Sequence, residues 1–129
     1  MFDHVQIKVA SLAESLPFYE AVLGSLGYKN VFEIEDVVVG FGTSTHDMLE
    51  ISQSGPDAPL SQFVHIALVA KSKEAVQDFY ETALAHGATC NGVPGLRDYE
   101  PGYFAAFVID PNGHNLEVVY RDSNTSTGH

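Results

Sequence analysis

At 129 residues the chain fits one compact domain, and 45% hydrophobic with 18% charged residues is the balance of a globular fold that buries a core. Six Lys and Arg against seventeen Asp and Glu leave a formal charge of -11, which repels phosphate backbones and anionic lipid and so argues against nucleic acid or a membrane surface as partner. Cys90 stands alone, which excludes an intrachain disulfide framework and a CxxC motif, suits a reducing compartment, and reads as a small buried apolar residue.

The opening MFDHVQIKVA has no basic stretch leading into an apolar one, and no window reaches the roughly 18 apolar residues of a membrane span, so a cytoplasmic protein is expected. His4-Val5-Gln6-Ile7 heads an alternating strand. Leu12, Leu16, Tyr19 and Leu23 follow at helical spacing and Gly27 stands where a left-handed residue would end that helix. Strand-like runs come next at Val31 to Ile34, Val37 to Phe41 and Met48 to Ser52, the last preceded by a turn-rich loop from Gly42 to Asp47. The stretch SQSGPDAPLSQ is rich in turn formers and reads as a linker.

The order then repeats. His65-Ile66-Ala67-Leu68 matches His4-Val5-Gln6-Ile7, Phe79-Tyr80-Glu81 matches Phe18-Tyr19-Glu20, and Leu84 matches Leu23, all at one sequence offset. Val76, Phe79, Tyr80 and Leu84 form the apolar set of the second helix, which Gly87 ends one residue out of register with Gly27. Phe104 to Ile109 and Asn115 to Tyr120 are the firm strands of this half, joined by the turn DPNGH. Leu49-Glu50-Ile51 and Leu116-Glu117-Val118 close the two halves alike. The expected fold is α+β, two tandem βαβββ modules forming a curved, cup-shaped mixed sheet with helices outside. Module 1 spans about 1–55, a linker about 56–62, module 2 about 63–121, and the polar residues 122–129 form a disordered tail.

A strand shows alternate residues on opposite faces, so His4, Gln6 and Lys8 share one face and the aliphatic residues between them the other. The same alternation separates His65, Glu50 and Glu117 from their aliphatic neighbours. Each half then offers one imidazole and one carboxylate away from the core, and His4, Glu50, His65 and Glu117 form a candidate ligand set for Zn, Ni, Mn, Co or Fe. His46, His86 and His114 have no matched partner and are expected at the surface.

The segments HVQIKV, SLPFYEAVLG, HIALVA and FVIDPNGHNLEVV resemble the vicinal oxygen chelate superfamily, the group of glyoxalases, bleomycin-resistance proteins and extradiol dioxygenases, over nearly the whole chain. The resemblance to bacterial-type glyoxalase I implies metal ligands at His4, Glu50, His65 and Glu117, with Glu50 or Glu117 moving a proton between adjacent carbons of a small substrate. Its physical sense is that a divalent ion polarising two vicinal oxygens acidifies the C–H between them. Lys8 corresponds to an Arg that engages glutathione in glyoxalase I. Arg97, Tyr99, Glu100 and Tyr103, in the Gly- and Pro-punctuated loop GVPGLRDYEPGYF, are the other candidate substrate-binding residues. The sequence departs from the glyoxalase pattern at Lys8 and at Ser54, where an Asn for glutathione would stand.

Three functions stay open at this point. The first is a metal-dependent lyase or isomerase. The second is an iron-dependent extradiol-type dioxygenase, or a thiol transferase, using His4, His65 and Glu117 alone. The third is a non-enzymatic drug-binding protein of the bleomycin-resistance kind, for which an acidic chain would suit a cationic ligand. Modules of this superfamily also exchange between chains, so the resemblance implies a homodimer.

Overall fold

The computed structural model describes residues 1–122, so the expected tail lies, from residue 123 on, outside the described residues. Two compact units emerge, Met1–Gln62 and a second from Phe63 onward. The first holds β1 (His4–Val9), α1 (Leu12–Ser25), β2 (Lys29–Ile34), β3 (Val38–Gly42) and β4 (Met48–Gln53). The second holds β5 (His65–Val69), α2 (Lys73–Ala85), β6 (Thr89–Leu96), β7 (Tyr103–Ile109) and β8 (Asn115–Arg121). Each is a βαβββ module with its own mixed four-stranded sheet, ordered β1-β4-β3-β2 and β5-β8-β7-β6. Among the described residues no helix is long and apolar enough to cross a membrane.

Both helices start and stop by the same chemistry. Ser11 Oγ accepts from Glu14 N–H at 3.2 Å and Ser72 Oγ from Ala75 N–H at 3.0 Å, satisfying donors that the first turn leaves without partners. Gly27 at φ +91° and Gly87 at φ +101° then turn the chain out of the helix, a conformation in which a Cβ is strained. Helix α1 buries Leu12, Phe18, Tyr19, Val22 and Leu23 over β2, β3 and β4. Helix α2 buries Val76, Phe79 and Ala83 over β6, β7 and β8. Burying a side chain the size of Phe79 contributes about 1.5–3 kcal/mol, so these stripes hold the helices on the sheets.

Several details differ from the sequence reading. Leu84 is exposed and Tyr80 half-buried, because the α2 stripe runs through the small Ala83; Leu16 is likewise half-buried. The first five residues of the segment read as a loop are strand, since β6 continues to Leu96 through register shifts at Cys90/Gly92 and Gly92/Gly95. Bulges accommodate the glycines and Pro94 on an edge strand without a full ladder. Cys90 sits on this edge and is exposed, not buried. Tyr80 first, then the Gly92 N–H and the Arg97 charge, hold its thiol below the ordinary range.

His114 is the opposite case: expected at the surface, it is buried. Asp110 Oδ1 accepts from Asn112 N–H at 2.9 Å and His114 N–H at 2.7 Å, and the Asp110 backbone N–H donates to the His114 carbonyl at 2.9 Å. This closes DPNGH into a tight turn, with Gly113 at φ +90°. The His114 ring is drawn inward with Nδ1 3.3 Å from Asp110 Oδ2. A turn-forming composition foretells the reversal of the chain but not that one of its side chains folds beneath it. His46 and His86 are exposed.

Candidate metal centre

The sheet registers place the candidate ligands equivalently in the two units. In unit 1 the parallel pair β1 and β4 sets Gln6 beside Glu50, with His4 two residues before Gln6; in unit 2 the parallel pair β5 and β8 sets Ala67 beside Glu117, with His65 two residues before Ala67. Glu50 and Glu117 lie on strands with a neighbour on each side and are buried, whereas His4 and His65 lie on edge strands and are exposed. A carboxylate removed from water costs free energy unless charge or hydrogen bonds compensate it, so both Glu positions demand partners.

The two units answer that demand differently. In unit 2 the small Ala67 leaves the flank of Glu117 open, and His65 Nε2 lies 2.9 Å from Glu117 Oε1. The Tyr103 phenol donates to the second oxygen, Glu117 Oε2. In unit 1 the flank is filled by Gln6, whose Nε2 donates to Glu50 Oε1 at 3.1 Å. His4 instead places Nδ1 2.7 Å from Asp3 Oδ1, and its pKa is raised first by that contact and then by the charge of Glu50. His65 and Glu117 are therefore brought together and His4 and Glu50 are not in hydrogen-bond contact. No cluster of three or more His, Cys, Asp or Glu suited to a metal forms within either unit among the described residues.

The candidate substrate residues divide the same way. Lys8 Nζ donates to Ser52 Oγ at 2.9 Å, and Ser52 Oγ in turn donates to the Val37 carbonyl at 3.2 Å. Tyr103, Arg97, Tyr99 and Glu100 gather on the Glu117 face of unit 2. Tyr103 is buried against Ala105 and Val119, with Phe107 packed beside them. Burial first, and the Glu117 carboxylate second, push its phenol up to about 12. Tyr99 stacks edge-on against Tyr103 at 5.1 Å between centroids. Arg97 donates to the carbonyls of Gly95 at 2.9 Å and Val93 at 2.7 Å, with its guanidinium 5.4 Å from the Phe107 centroid. A Cβ at Gly92 would stand 3.1 Å from both Arg97 Nη2 and Phe107 Cδ1, so that glycine makes room for the stack.

Sequence reasoning missed two members of this surface. Phe107 pairs with Glu117 across the β7–β8 ladder, and Arg121 lies two strand positions beyond Val119 on the same face. Arg121 stands over the Tyr103 ring at 5.0 Å and forms an ion pair with Glu100. Period-two alternation along β8 was the available signal for Arg121.

Comparison with known proteins agrees with this architecture. The family model described as Glyoxalase/Bleomycin resistance protein/Dioxygenase superfamily matches residues 1–118. A glyoxalase/bleomycin resistance protein from Albidiferax ferrireducens is similar in structure, with TM-score 0.80 and 28% identity over 95% of this chain and 99% of that one. A glyoxalase/bleomycin resistance protein/dioxygenase family enzyme from Burkholderia phytofirmans has TM-score 0.73 and 17% identity, covering 93% and 98%. A lactoylglutathione lyase from Agrobacterium tumefaciens has TM-score 0.68 and 19% identity, covering 93% and 92%. A search of curated proteins found no match to the chain. Members of the superfamily typically use a divalent metal ion. With two βαβββ modules and a family match over nearly its whole length, the chain belongs to the glyoxalase/bleomycin resistance protein/dioxygenase superfamily.

Proposed function

We propose that the chain is a metal-dependent lyase or isomerase of the glyoxalase-like type, acting on a small substrate with vicinal oxygens such as a 2-oxoaldehyde adduct. The observation that supports it is the His65 Nε2 to Glu117 Oε1 separation of 2.9 Å, with the carboxylate buried. Nitrogen and oxygen ligands at 2.0–2.2 Å from one ion and at right angles to each other are separated by roughly 3 Å, so the pair fits one edge of a coordination shell. The chemistry of the donors, one imidazole and one carboxylate, suits Zn, Ni, Mn, Co or Fe. His4 and Glu50 are the further ligands in this reading.

When bound, a divalent ion supplies the Lewis acidity that lowers the pKa of the C–H between two vicinal oxygens. The residues of the chain do the rest. Glu50, held at one oxygen by the Gln6 amide, is the carboxylate that takes the proton and returns it on the adjacent carbon. Arg97 and Arg121, two of only six basic side chains, stand on the Glu117 face and give an anionic substrate group its cationic neighbours. Phe107 and Tyr99 offer apolar ring surface beside them.

A second reading rests on the Gln6–Glu50 hydrogen bond: if Glu50 belongs to Gln6, three ligands remain, His4, His65 and Glu117, the set of a dioxygenase or thiol transferase. The test is methylglyoxal with glutathione and with other small thiols in the presence of Ni(II), Zn(II) or Co(II), following loss of the adduct. Metal-dependent turnover is expected. Its absence with all three ions would remove the 2-oxoaldehyde isomerase assignment.

A further inference from the structure

We infer that Tyr103 is a positioning residue for Glu117, fixing which carboxylate oxygen faces His65, and not a contact for substrate. The inference deepens the metal reading above and rests on it only for its second readout. Tyr103 begins β7 opposite Arg121, four residue pairs along the ladder from Phe107–Glu117, with Ala105–Val119 as the same-face pair between. Alternation puts all three rungs on one face, and the small Ala105 lets the tyrosine ring lie along the sheet across it. The phenol thereby arrives at Glu117 Oε2 as a donor, leaving Oε1 for His65. Both partners of that bond are buried, Tyr103 at 9% and Glu117 at 3% exposure, so water does not compete for it.

Three contacts hold the ring where it is. Tyr99 stacks edge-on from one side, the Arg121 guanidinium stands over the face, and Ala105 and Val119 form the floor. A carboxylate with one oxygen bound by a buried phenol has lost rotation about its terminal bond. A cation approaching from the His65 side meets a single, already oriented oxygen. Groups of this kind behind a ligand are worth about 10–100-fold in metal affinity.

The test compares wild type with Tyr103→Phe, which keeps the ring, and Tyr120→Phe, a β8 tyrosine on the opposite face, as control. The first readout needs no metal: the ring-nitrogen NMR signals of His65, assigned by their loss in His65→Ala. They are expected to shift in Tyr103→Phe and to stay in Tyr120→Phe; signals of Tyr103→Phe that superimpose on wild type would overturn the inference. The second is Co(II) titration followed by visible absorption. About tenfold weaker binding and an altered Co(II) spectrum are expected for Tyr103→Phe. Affinity within twofold of wild type and an unchanged spectrum would also overturn it. A wild type that binds no Co(II) would sink the metal reading instead, with the role of Tyr103 still decided by the His65 signals.

Discussion

On the proposed metal site, Glu117→Gln is expected to lower affinity for Ni(II) or Co(II) by at least about 100-fold while the fold stays intact, because there it removes a direct ligand rather than a group behind one. The substitution is chosen for what it preserves. A Gln amide oxygen accepts from the Tyr103 phenol as Glu117 Oε2 does, and the amide N–H group donates to the imidazole nitrogen that Glu117 Oε1 now faces. Both hydrogen bonds survive, so no buried donor is orphaned, and the change isolates the negative charge. Calorimetric titration beside a thermal melt checks it. Full affinity in a folded Glu117→Gln would assign the site elsewhere.

Gly102→Ala is expected to be the most damaging single-methyl change around the site. Gly102 sits at φ +77°, where a non-glycine residue costs about 1–3 kcal/mol. An added Cβ would also lie 2.3 Å from the Asp122 carbonyl oxygen. That oxygen is backbone, and the Asp122 N–H is itself bonded to the Gly102 carbonyl at 2.8 Å, so neither strand end gives way cheaply. The expected outcome is a loss of stability of several kcal/mol in chemical denaturation, with the start of β7 displaced. Tyr103 is the next residue, so the variant should also weaken metal binding in whatever fraction stays folded. Wild-type stability in Gly102→Ala would contradict the described strand ending.

The modules were legible because their signals are polar residues at strand positions and glycines at helix ends. Glu50 and Glu117, flanked by aliphatics, had to face away from the helix side, and the structure puts them on the middle strands where Leu49, Ile51, Leu116 and Val118 point the other way. Other features depend on neighbours that alternation does not see. Strand β6 was hidden by Gly92, Pro94 and Gly95, which mark a loop unless bulges absorb them. The burial of His114 needs the Asp110 turn closed above it, and the exposure of Cys90 follows from an edge position that composition does not encode. The Tyr103–Glu117 bond was invisible for a similar reason. It spans four residue pairs of a ladder and exists because the same-face pair between them carries an alanine.

The asymmetry between the units has a physical origin in one pair of equivalent positions. Ala67 leaves Glu117 to His65, whereas Gln6 takes Glu50 for itself. The repeated framework thus holds its two carboxylates differently: Glu117 by a phenol and an imidazole, Glu50 by a neutral amide. The first arrangement suits a fixed ligand and the second a group that can release its partner and carry a proton.

The proposal that the chain holds a divalent ion through His65 and Glu117, with His4 and Glu50 as further ligands, is tested most directly by metal content. Wild type, Glu50→Ala and His65→Ala would each be equilibrated with Zn(II), Ni(II) or Co(II), desalted and measured for bound ion per chain. The account predicts a stoichiometric ion in wild type, its loss in His65→Ala and weakened retention in Glu50→Ala. Wild type without stoichiometric metal, or a His65→Ala protein that keeps the wild-type content, would contradict it.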